Sequence, residues 1–204
     1  MAKLPGSMQT EKDKMIAGLP YLAADPELVA ERVRVRRFAQ QYAALDPGDD
    51  RRRRDLLARV FRYLGEDVVV EAPFHCDYGW NVSLGAGTYL NAFCVLLDCA
   101  PITLGPGTLV GPSVQFCGAT HPSDPREREG GLEYALPIAI GRNVWIGASA
   151  VIGPGVTIGD GSTVGAGSIV LLDVPPNVVV AGNPAHIVRR FDADDAAAGS
   201  SEAR

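Results

Sequence analysis

The chain has 204 residues, 47% of them apolar, with 23 glycines, 15 prolines and a formal charge of -5. That length suits one domain with a sizeable core, and so many turn-formers argue against a helical bundle. The acidic balance weighs against nucleic acid as the main partner, and no apolar run approaches the roughly 18 residues of a membrane span.

Residues 1–7, MAKLPGS, read as a cloning remnant ahead of a native start at Met8, and the N-terminus lacks a secretory pattern. Residues 8–66 read as a helical subdomain. Asp25-Pro26 joins an N-cap to a proline at the first helical position. Leu28, Val29, Val33, Phe38, Tyr42 and Leu45 then form an apolar stripe of helical spacing. Asp46-Pro47-Gly48 is a turn. Asp49 or Asp50 caps a second helix that the spacing carries to near Gly65, burying Leu56, Leu57, Val60, Phe61 and Leu64. The run Arg51 to Arg54, set among Asp49, Asp50 and Asp55, reads as a solvated face more readily than as a phosphate site.

Residues 67–191 carry a six-residue repeat, plain from Leu84 onward. Aliphatic or aromatic residues fall at Leu84, Leu90 and Leu96, then Leu104, Val110 and Phe116, then Ile140, Ile146, Ile152, Ile158, Val164 and Val170. Glycine often follows, and the fifth position of each hexad is small or β-branched, as at Thr88, Thr108, Ala150, Ser162 and Ser168. A period of six indicates a parallel β-helix in which three hexads close one triangular coil. The repeated residue points into the prism and stacks on its equivalents above and below. Two breaks stand out. Leu96 to Leu104 spans eight residues, and Phe116 to Ile140 spans 24, a whole number of hexads. The second break is a loop, 117–136, that leaves the prism with His121 in it and re-enters in phase. Long loops on rigid scaffolds carry binding groups. The segment near 175–191 and the N-terminal helices would cover the two ends of the coil, and residues 192–204 read as a disordered tail.

Cys76, Cys94, Cys99 and Cys117 form no CxxC pair and no zinc or disulfide framework. They read as small reduced thiols, which favours a cytoplasmic location.

Several stretches together resemble the hexapeptide-repeat acyltransferases, and within them the maltose and galactoside O-acetyltransferase group. They are KMIAGLPY at 14–21, YLNAFCVLLD at 89–98 and GPSVQFCGATHPSDPRERE at 111–129. PIAIGRNVWIGASAVIGPGVTIGDGSTVGAGSIV at 137–170 and DVPPNVVVAGNPAHIVRR at 173–190 complete the match. The resemblance implies a mainly β, left-handed parallel β-helix assembling as a homotrimer, a handedness that runs against the usual right-handed crossover. It implies acetyl transfer from acetyl-CoA to a sugar hydroxyl, in a cleft between neighbouring subunits, with no metal required.

The family's catalytic base falls on His121. An imidazole titrating near neutrality can take the hydroxyl proton as oxygen attacks the thioester. Relatives hold the acceptor with the asparagine matching Asn91, whose amide both donates and accepts, and Tyr89 flanks the same pocket. An acidic acceptor contact of the galactoside enzymes matches Ala23, with Asp25 two residues later. On the coenzyme side the resemblance points to Trp145 against the pantetheine arm. Ala148 stands where serine is frequent, so it has only its backbone N–H to offer. Ala166 and Gly167 are small enough for close approach. Arg189 and Arg190 face the nucleotide end, with His186 in place of an arginine and Leu171-Leu172 in place of a polar, basic pair. Other hydroxyl acceptors remain open: an antibiotic, serine or a nodulation-type oligosaccharide. Gamma carbonic anhydrases share the coil but bind zinc through three histidines, whereas His75, His121 and His186 are scattered here. A non-catalytic scaffold would have no reason to keep Asn91, His121 and Arg189 together.

Overall fold

A computed structural model describes residues 9–191, so the remnant read at 1–7 and the tail read at 192–204 lie outside the described residues. The chain forms a three-walled prism of parallel strands. Wall one stacks Tyr63–Leu64, Val82–Leu84, Ile102–Leu104, Ile138–Ile140 and Thr157–Ile158. Wall two stacks Val69–Val70, Tyr89–Leu90, Leu109–Val110, Trp145–Ile146, Thr163–Val164 and Val178–Gly182, and the last of these turns back antiparallel into Ala185–Arg190. Wall three stacks His75–Cys76, Val95–Leu97, Gln115–Cys117, Val151–Ile152 and Ile169–Val170.

Each hexad supplies one inward residue, so each coil supplies one to every wall. Leu84, Leu90, Leu96, Leu104, Val110, Phe116, Ile146, Ile152 and Val164 are all buried to within 1% of full occlusion. Burying one such side chain stabilises by roughly 1.5–3 kcal/mol, and here each packs on its own equivalents. The small fifth position has a second use. The Thr88 hydroxyl donates to Gly85 O at 2.7 Å, Thr108 to Gly141 O at 2.9 Å and Ser162 to Pro175 O at 2.8 Å, so each buried hydroxyl finds a carbonyl at a corner.

The coil starts earlier than the spacing suggests. Tyr63–Leu64 already belongs to wall one, where Arg62 N and Gly65 N donate to Val82 O and Leu84 O. The second helix therefore stops at Leu57, short of the expected Gly65. The eight-residue spacing seen from Leu96 to Leu104 recurs from Cys76 to Leu84. The first two coils thus share a longer third corner, and the 24-residue break is a further extension of that same corner.

Among the described residues, four helices lie outside the coil. α1 (Glu11–Ile16) opens on a capping box between Thr10 and Asp13. α2 (Pro26–Ala43) has Asp25 as N-cap, α3 (Asp50–Leu57) has Asp49, and α4 (Pro125–Arg128) sits within the loop. In α2 the buried residues are Leu28, Val35, Phe38 and Tyr42. Val29, expected inside, is 40% exposed, because the helix turns Val35 to the coil. α2 caps the first coil through Phe38 and Tyr42, which pack with Phe61 and Phe74, the contacting rings lying 5.5–6.3 Å apart. The arginine run is not a uniform solvated face. Arg53 is 9% exposed, its guanidinium lies 4.7 Å over the Tyr42 ring, and its Nη2 donates to Val70 O at 2.9 Å. Tyr42 Oη donates to the same carbonyl at 2.6 Å, so the two side chains close the open end of the prism.

Candidate active site

The loop that interrupts the repeat is built, not loose. Ala119–Thr120 pairs antiparallel with Leu132–Ala135, and that strand pairs on its other side with Tyr21–Leu22 from the N-terminal segment. Asp124 caps α4 by accepting from Arg126 N at 2.9 Å, and the Arg126 side chain bonded to it holds its carboxyl below the usual range. Arg128 Nη1 donates to Pro122 O at 3.1 Å.

His121 is the first residue past the strand Ala119–Thr120. It is exposed, and its Nδ1 lies 3.2 Å from Leu132 O. A carbonyl can only accept, so this contact assigns the hydrogen to Nδ1 and leaves the Nε2 lone pair to act as a base. Behind the loop lies a separate buried cluster: Met15, Tyr21, Leu28, Tyr78, Cys99, Ala100 and Ala135. Arg32 enters it from α2, donating to Tyr78 Oη at 2.5 Å and to Ala23 O at 2.6 Å. The Tyr21 hydroxyl is fully buried and meets no partner in bonding geometry. Burial pushes the Tyr21 and Tyr78 hydroxyls well up, and the Cys99 thiol up to about 12. Burial likewise raises the Glu133 carboxyl, against the pull of Tyr21, His121 and Arg32. The other thiols are also raised by burial, Cys94 to about 11, which leaves them poor nucleophiles.

Asn91 sits at a different corner. It follows inward Leu90, as Ala148 follows Ile146 and Ala166-Gly167 follow Val164 by way of a glycine, so all four share the edge between walls two and three. Backbones stack tightly on this edge. A Cβ on Gly111 would come within 2.7 Å of Ala148 N, and one on Gly147 within 2.6 Å of Ala166 N. Asn91 Oδ1 accepts from Ala92 N at 2.8 Å, so its amide also serves the turn, while its NH₂ remains a donor. Phe93, on the same corner, is 62% exposed at φ 65, a backbone conformation costly to a bulky side chain. Sequence reading passed over it, because only the dihedral distinguishes it from ordinary packing.

Tyr89, Leu109, Trp145, Thr163 and Val179 form one outward column on wall two, and Val179 pairs with Arg189. Trp145 is 58% exposed. Three strand spacings separate it from Arg189, about 14 Å. The Arg189 guanidinium lies 5.3 Å from the Phe191 ring, and His186 and Arg190 are exposed on the same hairpin. Asp25 accepts from Glu27 N at 2.9 Å and so is engaged as a helix cap. Leu171 and Leu172 are exposed on the edge between walls three and one, the edge of the His121 loop, away from Trp145 and Arg189. Among the described residues no group of three or more His, Cys, Asp or Glu side chains could hold a metal ion.

One chain therefore separates the predicted groups. His121 leaves the prism at the edge between walls three and one. Asn91, Ala148, Ala166 and Gly167 line the edge between walls two and three, and Trp145 and Arg189 stand on wall two. What the sequence reading missed lies around His121: Tyr21, Arg32 and Glu133, of which only Tyr21 fell inside a quoted motif.

Residues 14–65 match the maltose acetyltransferase hexapeptide capping motif, and residues 137–171 match the six-repeat bacterial transferase hexapeptide. The chain is 47% identical over 180 residues to nodulation protein L of Rhizobium meliloti, covering 88% of this chain and 98% of that one. A maltose O-acetyltransferase from Clostridium difficile superposes with a TM-score of 0.88 at 38% identity, covering 92% of this chain and 100% of the other. A hexapeptide-repeat acetyltransferase from Vibrio cholerae, complexed with acetyl coenzyme A, gives 0.83 at 39% over 90% and 99%. A galactoside acetyltransferase in complex with coenzyme A gives 0.85 at 35% over 94% of each chain.

Proposed function

The chain belongs to the hexapeptide-repeat acetyltransferases, and from that premise we propose that it moves an acetyl group from acetyl-CoA to a hydroxyl of a maltose-, glucose- or galactoside-type sugar. The observation that carries this reading is the imidazole of His121, held through Nδ1 by Leu132 O in the long loop that leaves the coil. Nε2 takes the proton of the acceptor hydroxyl as its oxygen bonds to the thioester carbon. Preorganised N–H donors suit the negative charge that develops on the carbonyl oxygen, and the backbone N–H of Ala148 is our candidate. As the C–S bond breaks, the imidazolium returns the proton to the departing thiolate, so the enzyme ends as it began.

The column from Trp145 to Arg189 supports the coenzyme assignment. Its length of about 14 Å suits an extended pantetheine arm, with cations where the phosphates would lie. The separation of His121 from Asn91 and Ala148 supports a homotrimer, in which a neighbour brings its own edge to the loop and completes the cleft. Four cysteines outside any disulfide, three of them buried, support a cytoplasmic setting. The similarity to nodulation protein L supports a second reading, in which the acceptor is an oligosaccharide of nodulation type.

His121→Ala tests the mechanism. Turnover should fall roughly 10²- to 10⁴-fold, the usual worth of a positioned base, with coenzyme affinity and melting temperature nearly unchanged, since the side chain is exposed and outside the stacked core. A folded variant that acetylates sugars at near wild-type rate would overturn it. Thiol release from acetyl-CoA against mono-, di- and oligosaccharides decides between the two acceptor readings.

A further inference from the structure

We infer that Glu133 is a positioning residue for His121, set between the buried Tyr21 and the imidazole by the small sheet that anchors the loop. Residues directly opposite in an antiparallel pair carry their side chains on one face, with Cβ atoms about 4.5–5.5 Å apart. Tyr21 pairs with Glu133. Ala119 pairs with Ala135 and Thr120 with Tyr134; continued one residue past the strand, that register brings His121 opposite Glu133, in keeping with the contact of its Nδ1 with the neighbouring Leu132 O. One row, running from the N-terminal strand across Leu132–Ala135 to the residue just past Ala119–Thr120, therefore reads Tyr21, Glu133, His121.

The surroundings fit the role. Glu133 is half-buried although it lies on a surface loop, and the charge of His121 is among those felt at its carboxyl. Arg32, the other cation acting on it, is already engaged by Tyr78 Oη and Ala23 O. The Tyr21 hydroxyl is fully buried without a bonded partner, and Glu133 and Cys99 are among the ionisable groups around it. It is thus the donor at hand to steady the carboxylate. An imidazole that takes a proton gains a positive charge, and a carboxylate beside it favours that state. Leu132 O holds the ring from the main chain, and Glu133 backs it from the next residue. The N-terminal strand is then part of the catalytic apparatus as well as a cap, because it supplies Tyr21 and pins the strand bearing Glu133.

This inference rests on His121 acting as the base, and the experiment separates the two. Glu133→Gln keeps the shape and removes the charge. It should lower kcat roughly 10- to 100-fold, part of what a positioned base contributes, while the apparent constant for acetyl-CoA and the melting temperature hold. Glu133→Asp should restore part of the rate. In a His121→Ala background Glu133→Gln should cost nothing more, because residues acting as a unit are non-additive. If His121→Ala runs near wild-type rate, the base reading falls and takes this one with it. If His121→Ala is slow but Glu133→Gln is at wild-type rate, or slows both backgrounds by the same factor, only the inference is overturned. Should Glu133→Gln fail to fold, Glu133→Asp in the same two backgrounds gives the same comparison.

Discussion

Asp98 makes the stability of the coil depend on pH in a direction opposite to most carboxylates. It is fully buried at the third corner, where Oδ1 accepts from Asp77 N and Tyr78 N, each at 2.8 Å, while Oδ2 has no partner. Burial, reinforced by Asp77 and opposed by those N–H groups, pushes its carboxyl from 3.8 up to about 6. A shift of about two units corresponds to about 3 kcal/mol. The folded pKa is raised, so the folded state holds the proton more tightly than the unfolded one. Its contribution is complete below about pH 4 and is lost as pH rises through about 6. Asp98→Asn cannot titrate. Urea unfolding of both proteins, followed by circular dichroism at one protein concentration, gives the stability difference at each pH. Wild type minus variant should fall by about 2–3 kcal/mol between pH 4 and pH 7, and distant titrating groups cancel in that subtraction. A flat difference, or one rising with pH, would refute the burial argument.

Two further changes probe the edge and the coenzyme column. Gly111→Ala drives a Cβ to 2.7 Å from Ala148 N, main chain that cannot rotate away, and should destabilise by about 1–3 kcal/mol in calorimetry; an unchanged melting temperature would mean the coils do not stack as described. Arg189→Ala should raise the apparent constant for acetyl-CoA roughly tenfold, as for loss of a charge-assisted bond, and leave that for the sugar nearly alone. Equal effects on both constants would argue against a nucleotide-end role.

The period of six was enough, by itself, to determine a parallel coil with three hexads to a turn, though not the hand of that coil. A residue that must be apolar every sixth place, with a small one before each corner, has one economical solution, and Leu84 through Val170 occupy it as expected. The spacing also showed where the chain leaves the prism, because a 24-residue gap preserves phase. His121 was legible for the same reason: it interrupts an otherwise regular signal.

Where the repeat is degenerate, the sequence was silent. Val70 and Cys76 carry the first coil without the usual glycines, and apolar residues at 56–64 suit a helix as well as a strand. Only the pairing of Gly65 N with Leu84 O decides between them. Arg53 looks like its three neighbours until helix phase turns it alone onto Tyr42. The surroundings of His121 depend on contacts of the longest range. Tyr21 and Glu133 are 112 residues apart in sequence and adjacent in the sheet, and no local pattern announces that register. Periodicity reports what each residue repeats with. Burial, charge and reach at the site depend on what crosses over it, and that is set only when the N-terminal strand closes on the loop.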